Sequence, residues 1–444
     1  MIVAAGKGAR LVAEHEDPKP LQPLAGVPLI RRVMVCAAKA GIEHFCVVVG
    51  YRAERMRERL PALVPPGCGL EVIENPRFEE PNGVSLLAAA RTLHEPFALL
   101  MSDHIFSPVR LRRALEQHRR TGRNLLAVEA RRSFSGDLED ATLVSVERGR
   151  VKAIGKGLAD YDAIDTGMFV LDAEQLTAEL EAAGPSPSIS DGVRALAQAG
   201  ELDALLLSEG TWQDVDTPQD RRAAEQLLYA SLTKAEDGFM ARHVNRRVSL
   251  FLSTRVWRWG VTPNMVTGFT LLLGLAAGLA FAQSGGLAWG LIGATLFQLQ
   301  SILDGCDGEL ARLLHKESRA GFWFDVGADN LTHMAVFGGI ALGQMADGTP
   351  GPWAFLGWAA VAGVAASFCA MAPLLRPGHK SKGRANGMLD RMVRGLSRRD
   401  FTYLLFPLAI MGWLGVFLWV AAIGSWLFAL TVLSLRTRQA LTAK

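Results

Sequence analysis

Four aspartates lie close together between two long apolar runs, and few folds can accommodate them. Asp304 and Asp307 fall in D-G-C-D-G-E-L-A-R (304–312), and Asp325 and Asp329 in G-F-W-F-D-V-G-A-D (321–329). The runs 287–303 and 326–342 around them are each near the length that spans a bilayer. On a helix, Asp304, Asp307, Gly308, Ala311 and Arg312 share one face, and Asp325 and Asp329 share a face one turn apart on the next helix. The four carboxylates can therefore converge. Carboxylates are costly to bury, and the nearby cationic side chains are limited to Arg312, Lys316 and Arg319, so divalent cations are the expected partners. Oxygen-only ligands suit Mg²⁺, Mn²⁺ or Ca²⁺. Gly308 and Ala311 leave room for a flat group, and Arg312 supplies a fork for phosphate. The expectation is a site for a diphosphate ester rather than a structural cluster of capped acidic helix ends.

The spacing D-x-x-D-G-x-x-A-R followed by G-x-x-x-D-x-x-x-D matches every fixed position of the CDP-alcohol phosphotransferase signature, and this half of the chain resembles that family. The resemblance implies an all-α six-helix transmembrane domain with a two-metal site, holding Mg²⁺ or Mn²⁺. Such a domain transfers a phosphoryl-alcohol group from a CDP-alcohol to a hydroxyl acceptor and releases CMP. By the same likeness Asp304, Asp307 and Asp325 are metal ligands, and Asp329 is a further ligand or the acceptor's general base. Gly308, Ala311, Arg312 and Gly321 face the nucleotide.

Composition divides the chain. Half of the 444 residues are hydrophobic, yet the long uncharged runs are confined to the part after about Asn264. The expected organisation is a soluble domain over 1–233, a linker and interfacial helix over 234–263 and a membrane domain over 264–444. A formal net charge of +3 gives no sign of a nucleic-acid partner. Cys36, Cys46, Cys68, Cys306 and Cys369 have neither pairing pattern nor metal spacing, so reduced structural thiols are expected. Residues 1–8 read as a strand and glycine turn rather than a secretory signal, which leaves the amino terminus in the cytoplasm.

That opening strand ends in Ala5-Gly6-Lys-Gly8-Ala-Arg10, where glycines let the backbone approach phosphates. Downstream, Pro18-Lys19-Pro20 places a lysine on a stiffened loop. The segments that follow alternate as an α/β domain should: a helix over 30–40, buried strands over 44–50, 71–74 and 97–101, and a helix introduced by Asn82-Gly-Val-Ser85. Ser85 reads equally as a cap or a ligand, and Asn82 as a base or ribose contact. Asp103 emerges at the carboxyl end of the 97–101 strand, the usual ligand edge of an open α/β sheet. Together these elements resemble the sugar-phosphate nucleotidyltransferases. The likeness implies a Rossmann-like, mixed but mostly parallel sheet, with Ala5, Gly6, Gly8 and Arg10 on the triphosphate and Lys19 steadying the phosphates. It implies Asp103 as a metal ligand, with a second carboxylate from Trp212-Gln-Asp214-Val-Asp216; both Asp214 and Asp216 remain open. Lys156 and Gly167 become candidates for the second substrate. Members of that family usually carry a few residues before the first apolar run, whereas Met1 is already inside it, so a shortened first strand is expected.

Residues 243–260 mix Arg246, Arg247, Arg255 and Arg258 with apolar and tryptophan residues, as an interfacial helix would. Six spans are expected at about 264–283, 287–303, 323–342, 353–373, 402–413 extended by its flanks, and 416–435. Lys316, Arg319, the run 376–399, Arg436 and Arg438 lie on one side of them, which puts both termini and the aspartate motif on the cytoplasmic face of an inner membrane. The basic loop 376–400 is a candidate anionic acceptor surface. The fusion makes sense as consecutive steps, one making a CDP-alcohol from CTP and an alcohol phosphate and the other consuming it. As a whole the chain resembles the family of bifunctional inositol-1-phosphate cytidylyltransferase and di-inositol phosphate phosphate synthases. A phospholipid headgroup synthase and a nucleotide-sensing membrane scaffold are the alternatives, and pairing through the membrane domain is expected of such proteins.

Overall fold

In the computed structural model, residues 1–8, 10–11, 17–90, 92–93, 95–130, 141–207, 209–232, 245–373 and 399–442 are described. The chain divides into two compact units, Met1–Leu228 and Tyr229–Lys444. Most of the basic loop 376–400 and the residues 233–244 lie outside the described part.

Among the described residues the first unit contains thirteen strands and seven α-helices in the order β1 (Ile2–Ala4), β2 (Pro23–Leu24), β3 (Val27–Pro28), α1 (Leu29–Ala40), β4 (His44–Val49), α2 (Ala53–Arg59), β5 (Gly69–Glu74), α3 (Asn82–Ala90), β6 (Phe97–Met101), β7 (His104–Phe106), α4 (Pro108–Thr121), β8 (Asn124–Ala130), β9 (Leu143–Glu147), β10 (Arg150–Gly155), β11 (Ala163–Leu171), α5 (Ala173–Ala182), α6 (Ile189–Gln198), β12 (Leu202–Leu206), β13 (Trp212–Asp214) and α7 (Pro218–Ala230), with 3-10 turns at Lys19–Leu21 and Leu60–Leu63. Nine strands form one sheet in the order β5-β4-β1-β6-β11-β8-β12-β10-β9. The apolar run of β4 is buried at every position after His44, as a strand covered on both faces requires. β1 lies inside the sheet, with Ile2 opposite Val47 on one side and Leu100 on the other.

The sheet is mixed, as expected, but parallel pairings do not predominate: they are β5–β4, β4–β1, β1–β6 and, beyond β11, β8–β12. β5, β4, β1 and β6 are parallel, but β11 runs antiparallel to both β6 and β8, and β9 and β10 form an antiparallel hairpin. The hairpin turns at Arg148 and Gly149, both with positive φ, which is the backbone sense that matches the twist of a two-residue turn. Its register breaks at Val151/Ala153, and that of β11 breaks between Asp165 and Met168.

The second unit is helical: α8 (Arg246–Val256), α9 (Pro263–Phe281), α10 (Leu287–Leu313), α11 (Arg319–Ala346), α12 (Trp353–Met371), a 3-10 turn at Arg399–Leu404, α13 (Leu405–Ile410) and α14 (Leu414–Thr442). Thr262 caps α9 by accepting from the Met265 amide, with Pro263 at the first helical position where its missing N–H is no loss. α10 runs past the span expected at 287–303 because it carries the acidic motif of 304–312, and α11 extends about a turn beyond each end of the span expected at 323–342. The span expected at 402–413 is instead the 3-10 turn and the six-residue α13. Among the described residues, three helical stretches, Pro263–Phe281, Trp353–Met371 and Leu414–Ser434, are long and apolar enough to cross a membrane by length and composition. Their outer faces carry exposed apolar side chains such as Leu279, Trp358 and Val420.

α9 and α11 pack through small residues. Gly274 faces Thr332, Gly278 faces the Ala335 backbone, and a methyl group at Gly339 or Gly343 would collide with the carbonyl oxygens of Gly278 and Phe281. Two G-x-x-x-G stripes therefore let the two backbones touch. The neighbouring Gly338 has open space where a Cβ would sit. We expect Gly339→Ala to force the helices apart and to destabilise the second unit by about 1–3 kcal/mol, whereas Gly338→Ala should be neutral or slightly stabilising. Thermal denaturation of the two variants in detergent tests this, and equal melting temperatures would count against the close approach.

Candidate active sites

In the first unit the site is built at the carboxyl ends of β1 and β6. Lys19 lies on a short 3-10 turn after Pro18 and is only 6% exposed. Its Nζ donates to Asp103 Oδ2 at 2.6 Å and also to Asp216 Oδ1. Arg10, an exposed side chain, donates to the other Asp216 oxygen at 2.7 Å. Gly8 makes this arrangement possible: its φ is +60°, and an added Cβ would sit 2.6 Å from the Lys19 Cβ. Gly6 has open space beside it, and Ala5 is buried with its carbonyl accepting from the Tyr51 amide.

Burial alone would lower Lys19, but Asp103 and Asp216 outweigh it and hold its ammonium above the ordinary lysine value. Burial would likewise raise Asp103, yet His104 and Lys19 leave it below the usual carboxylate range. Asp214 moves the other way, raised by burial and then by Asp220, Asp216 and Asp103, against the opposing pull of His104. Asp103 and Asp216 therefore share a cation, and Asp214 stands beside them with its Oδ1 accepting from Gln213.

The two-stranded ribbon of β7 and β13 brings the late acidic element here by placing Asp214 opposite His104. His104 Nδ1 lies 2.8 Å from the Thr166 carbonyl and so carries its proton there, and Trp212 Nε1 donates to the same oxygen at 2.8 Å. Gly167, with φ +65°, sits where a Cβ would be 2.6 Å from His104. A cleft of about 460 Å³ opens beside these groups, lined among others by Arg10, Asn82, Asp165, Gly167, Trp212 and Asp216. Asn82 also accepts from the Ile189 amide at the start of α6. Ser85 lies three residues inside α3, so it does not cap that helix; it is buried and accepts from Asn75 Nδ2 at 2.8 Å. Lys156 is exposed, and neither it nor Ser85 is among the residues lining the cleft.

In the second unit Asp304 and Asp307 on α10 and Asp325 on α11 offer carboxylate oxygens that all lie within 4.8 Å of one another. Asp304 and Asp307 are buried and Asp325 half-buried. Thr267 of α9 donates to Asp307 Oδ2 at 2.6 Å and orients it. Ser318 caps α11 through the Gly321 amide, and Gly321 also leaves space for Asn264, whose Oδ1 would be 3.2 Å from an added Cβ. Beside Gly308 a Cβ would meet only the Arg312 guanidinium, at 3.2 Å, and Ala311 is half-buried. Arg312 reaches the Leu232 carbonyl at 3.3 Å. Among the described residues Asp329 stands outside the three-carboxylate group, one turn further along α11 and half-buried. The donor set is oxygen-only, which suits hard divalent cations.

Three contributors escaped the sequence reading. Thr267 follows the helix start without any motif to mark it. Glu309 lies inside the motif and is completely buried, bonded to Arg246, Ser249 and Ser253. The signal for it was a glutamate on the face of α10 away from the aspartates. Asp165 precedes the glycine of β11, and its carboxylate accepts from the Gly167 amide at 2.7 Å.

Comparison with known proteins assigns residues 1–160 to the MobA-like NTP transferase domain and residues 260–435 to the CDP-alcohol phosphatidyltransferase family. A protein of Rubrobacter xylanophilus named "Bifunctional IPC transferase and DIPP synthase" is 38% identical over 345 residues, 77% of this chain and 76% of that one. A protein of Aquifex aeolicus with the same name is 33% identical over 360 residues, 80% of this chain and 79% of that one. The solved inositol-1-phosphate CTP transferase from T. maritima aligns with a TM-score of 0.44 at 26% identity, covering 51% of this chain and 92% of that one.

Burial pushes the Asp165 carboxyl up to about 6, against the opposing pull of the Gly167 amide and His104. Because the folded value lies above that of the unfolded chain, the group weakens the fold progressively as pH rises from about 4 to about 6, and the penalty persists above that range. We expect Asp165→Asn, which still accepts from Gly167, to stabilise the first unit by on the order of 2 kcal/mol at pH 7.5. The gain should vanish near pH 4. Melting curves with chelator at the two pH values check this, and an equal shift at both would overturn it.

Proposed function

The chain belongs to the family of bifunctional IPC transferases and DIPP synthases, and from that premise we propose that it carries out two consecutive transfers. In the first unit a phosphate oxygen of inositol 1-phosphate attacks the α-phosphorus of CTP. The bond to the β-phosphate breaks, giving CDP-inositol and pyrophosphate. In the second unit a hydroxyl of a further inositol 1-phosphate attacks the inositol-bearing phosphorus of CDP-inositol, and CMP leaves. The observation that carries this reading is the presence, in one chain, of the Lys19-centred carboxylates and the Asp304, Asp307 and Asp325 cluster.

The chemistry divides among the residues as follows. Lys19 and Arg10 place positive charge beside the cleft, where they neutralise the triphosphate as charge builds on the leaving pyrophosphate. Asp103 would hold Mg²⁺ with Asp216, since these two meet at Lys19, and Asp214 stands beside them as the alternative second carboxylate. Gly167 and Asn82 border the space for the inositol phosphate. In the second unit Asp304, Asp307 and Asp325 would hold two Mg²⁺ or Mn²⁺ ions, which when bound stabilise the departing CMP oxygen. Thr267 keeps Asp307 aimed at them. Gly308, Ala311 and Gly321 admit the nucleotide and Arg312 its phosphates. Asp329, outside the cluster, takes the proton of the attacking hydroxyl.

This reading makes residues 1–233 a cytosolic domain, 234–263 a linker with α8 at the membrane interface, and 264–444 a multi-span domain of an inner membrane that pairs with a second copy. Both termini and both sites face the cytoplasm, where the basic loops lie. The apolar outer faces of α9, α12 and α14 support the bilayer as surroundings.

Supplying the protein with radiolabelled CTP-derived CDP-inositol, labelled in the inositol, and unlabelled inositol 1-phosphate should give only water-soluble product. Label in the organic phase after addition of phospholipid would sink the soluble-product reading and favour a lipid headgroup transfer. Asp103→Asn should lower pyrophosphate release from CTP by at least about 10²-fold while sparing CMP release from supplied CDP-inositol. Asp329→Asn should do the reverse, losing about 10²–10⁴-fold in turnover with CDP-inositol affinity kept. If its affinity falls in step with its rate, Asp329 is a metal ligand and not the base.

A further inference from the structure

Glu309 lies two residues beyond Asp307 and is completely buried, yet its carboxylate is directed away from the metal cluster. Both of its oxygens are occupied. Arg246 Nη1 and Ser249 Oγ donate to Oε1 at 2.6 and 2.8 Å, and Ser253 Oγ donates to Oε2 at 2.7 Å. All three donors come from α8, at intervals of three and four residues, so one face of α8 is turned onto one carboxylate. The contact continues one turn back along α10. Cys306 donates its thiol to the Ser249 carbonyl at 3.5 Å, and Gly305 is small enough for Arg246 and Ser249 to come within 3.6 Å of the position of its missing Cβ. A second tie stands beside it, where Asn245 accepts from Gln298 of α10 at 3.3 Å and from Tyr403 at 2.6 Å.

The helical repeat places Glu309 roughly 140° around α10 from Asp304 and roughly 160° from Asp307, on the opposite side of the same rod. Whatever fixes Glu309 therefore fixes the direction in which both aspartates point. A rotation of about 20° would carry a carboxylate some 6 Å from the axis through about 2 Å, a displacement comparable to a whole metal–oxygen bond. Apolar packing against α8 would tolerate such a slip, whereas three directed bonds to a charged acceptor do not.

We propose that Glu309 is a positioning residue of the phosphotransfer site, clamped by Arg246, Ser249 and Ser253 of α8 so that α10 presents Asp304 and Asp307 to Asp325 at metal-binding distance. The inference rests on the metal-binding reading of those aspartates given above. It assigns α8 a part in the chemistry beyond lying at a membrane surface.

The test is Mn²⁺ binding, read by electron paramagnetic resonance on the full-length chain in detergent, in an Asp103→Asn background that suppresses the first unit's site. Glu309→Gln should weaken Mn²⁺ binding about ten-fold, the order expected when the support of a metal ligand is removed. Glu309→Asp should recover part of the loss. Arg246→Met should lower the affinity similarly, and the double variant should be little worse than either single one, since both break the same clamp. The melting temperature of the second unit in detergent, followed on the Glu309→Gln chain, serves as the folding check, and pyrophosphate release without the background substitution should be unchanged because it belongs to the first unit. If Glu309→Gln does not fold, Ser253→Ala, which removes one of the three bonds, should still cost two- to three-fold in Mn²⁺ affinity. Unaltered Mn²⁺ binding in whichever of these variants folds would overturn the proposal and leave Glu309 a packing residue. Failure of the unsubstituted cluster to bind more Mn²⁺ than an Asp304→Asn chain would instead remove the metal reading itself, and the proposal with it.

Discussion

A carboxylate placed inside a helix bundle must be met by a cation or by directed donors, because water is not there to solvate it. The second unit is arranged around that requirement. Glu309 is satisfied outright by an arginine and two serines, and Asp307 receives the Thr267 hydroxyl. Asp304, Asp307 and Asp325 are gathered so that one small volume receives their combined charge. Helices crowded with ordinary side chains would hold α9 and α11 too far apart for α9 to reach the site from one side and α11 from the other. Glycines along both helices remove that separation.

The first unit meets a related problem with a different device. Its carboxylates sit at the open end of a sheet, where solvent relieves part of the cost, and a single lysine bridges two of them. Lys19 comes from early in the chain and Asp216 from near the end of the unit, so the site forms only when the whole sheet has closed. In the bundle, by contrast, Asp304 and Asp325 are supplied by two consecutive helices. One site is thus assembled by topology and the other by local periodicity.

That difference explains what was legible in the sequence. The aspartates of α10 and α11 could be read because helical spacing projects directly into space, and the chemistry of oxygen donors follows from residue type. Asp103 could be read because a buried strand ends just before it. Nothing local distinguished Asp214 from Asp216, since their difference lies in which one reaches Lys19 across nearly two hundred residues. Ser85 looked like a cap because the helix start was placed too late, and its actual partner, Asn75, belongs to a different segment. The share of antiparallel pairing in the mixed sheet was underestimated for a similar reason: strand direction is decided by turns such as Arg148-Gly149, while the apolar runs are the same in either direction. Glu309 was hidden by its own motif, where the eye follows the aspartates on the other face.

β11 joins the parallel block of β5, β4, β1 and β6 to the mixed remainder of the sheet, and its ladder is interrupted between Asp165 and Met168. The interruption frees the Thr166 carbonyl, which His104 and Trp212 then share, while the Thr166 hydroxyl stays tied to the Ala127 carbonyl of β8. Two segments far apart in the chain are thus referenced to one fixed oxygen rather than to each other. A lengthened or shortened connection anywhere between them alters the path of the backbone but not the point at which it must return. The loops between them can therefore differ in length while the imidazole and the indole keep their places at the mouth of the cleft.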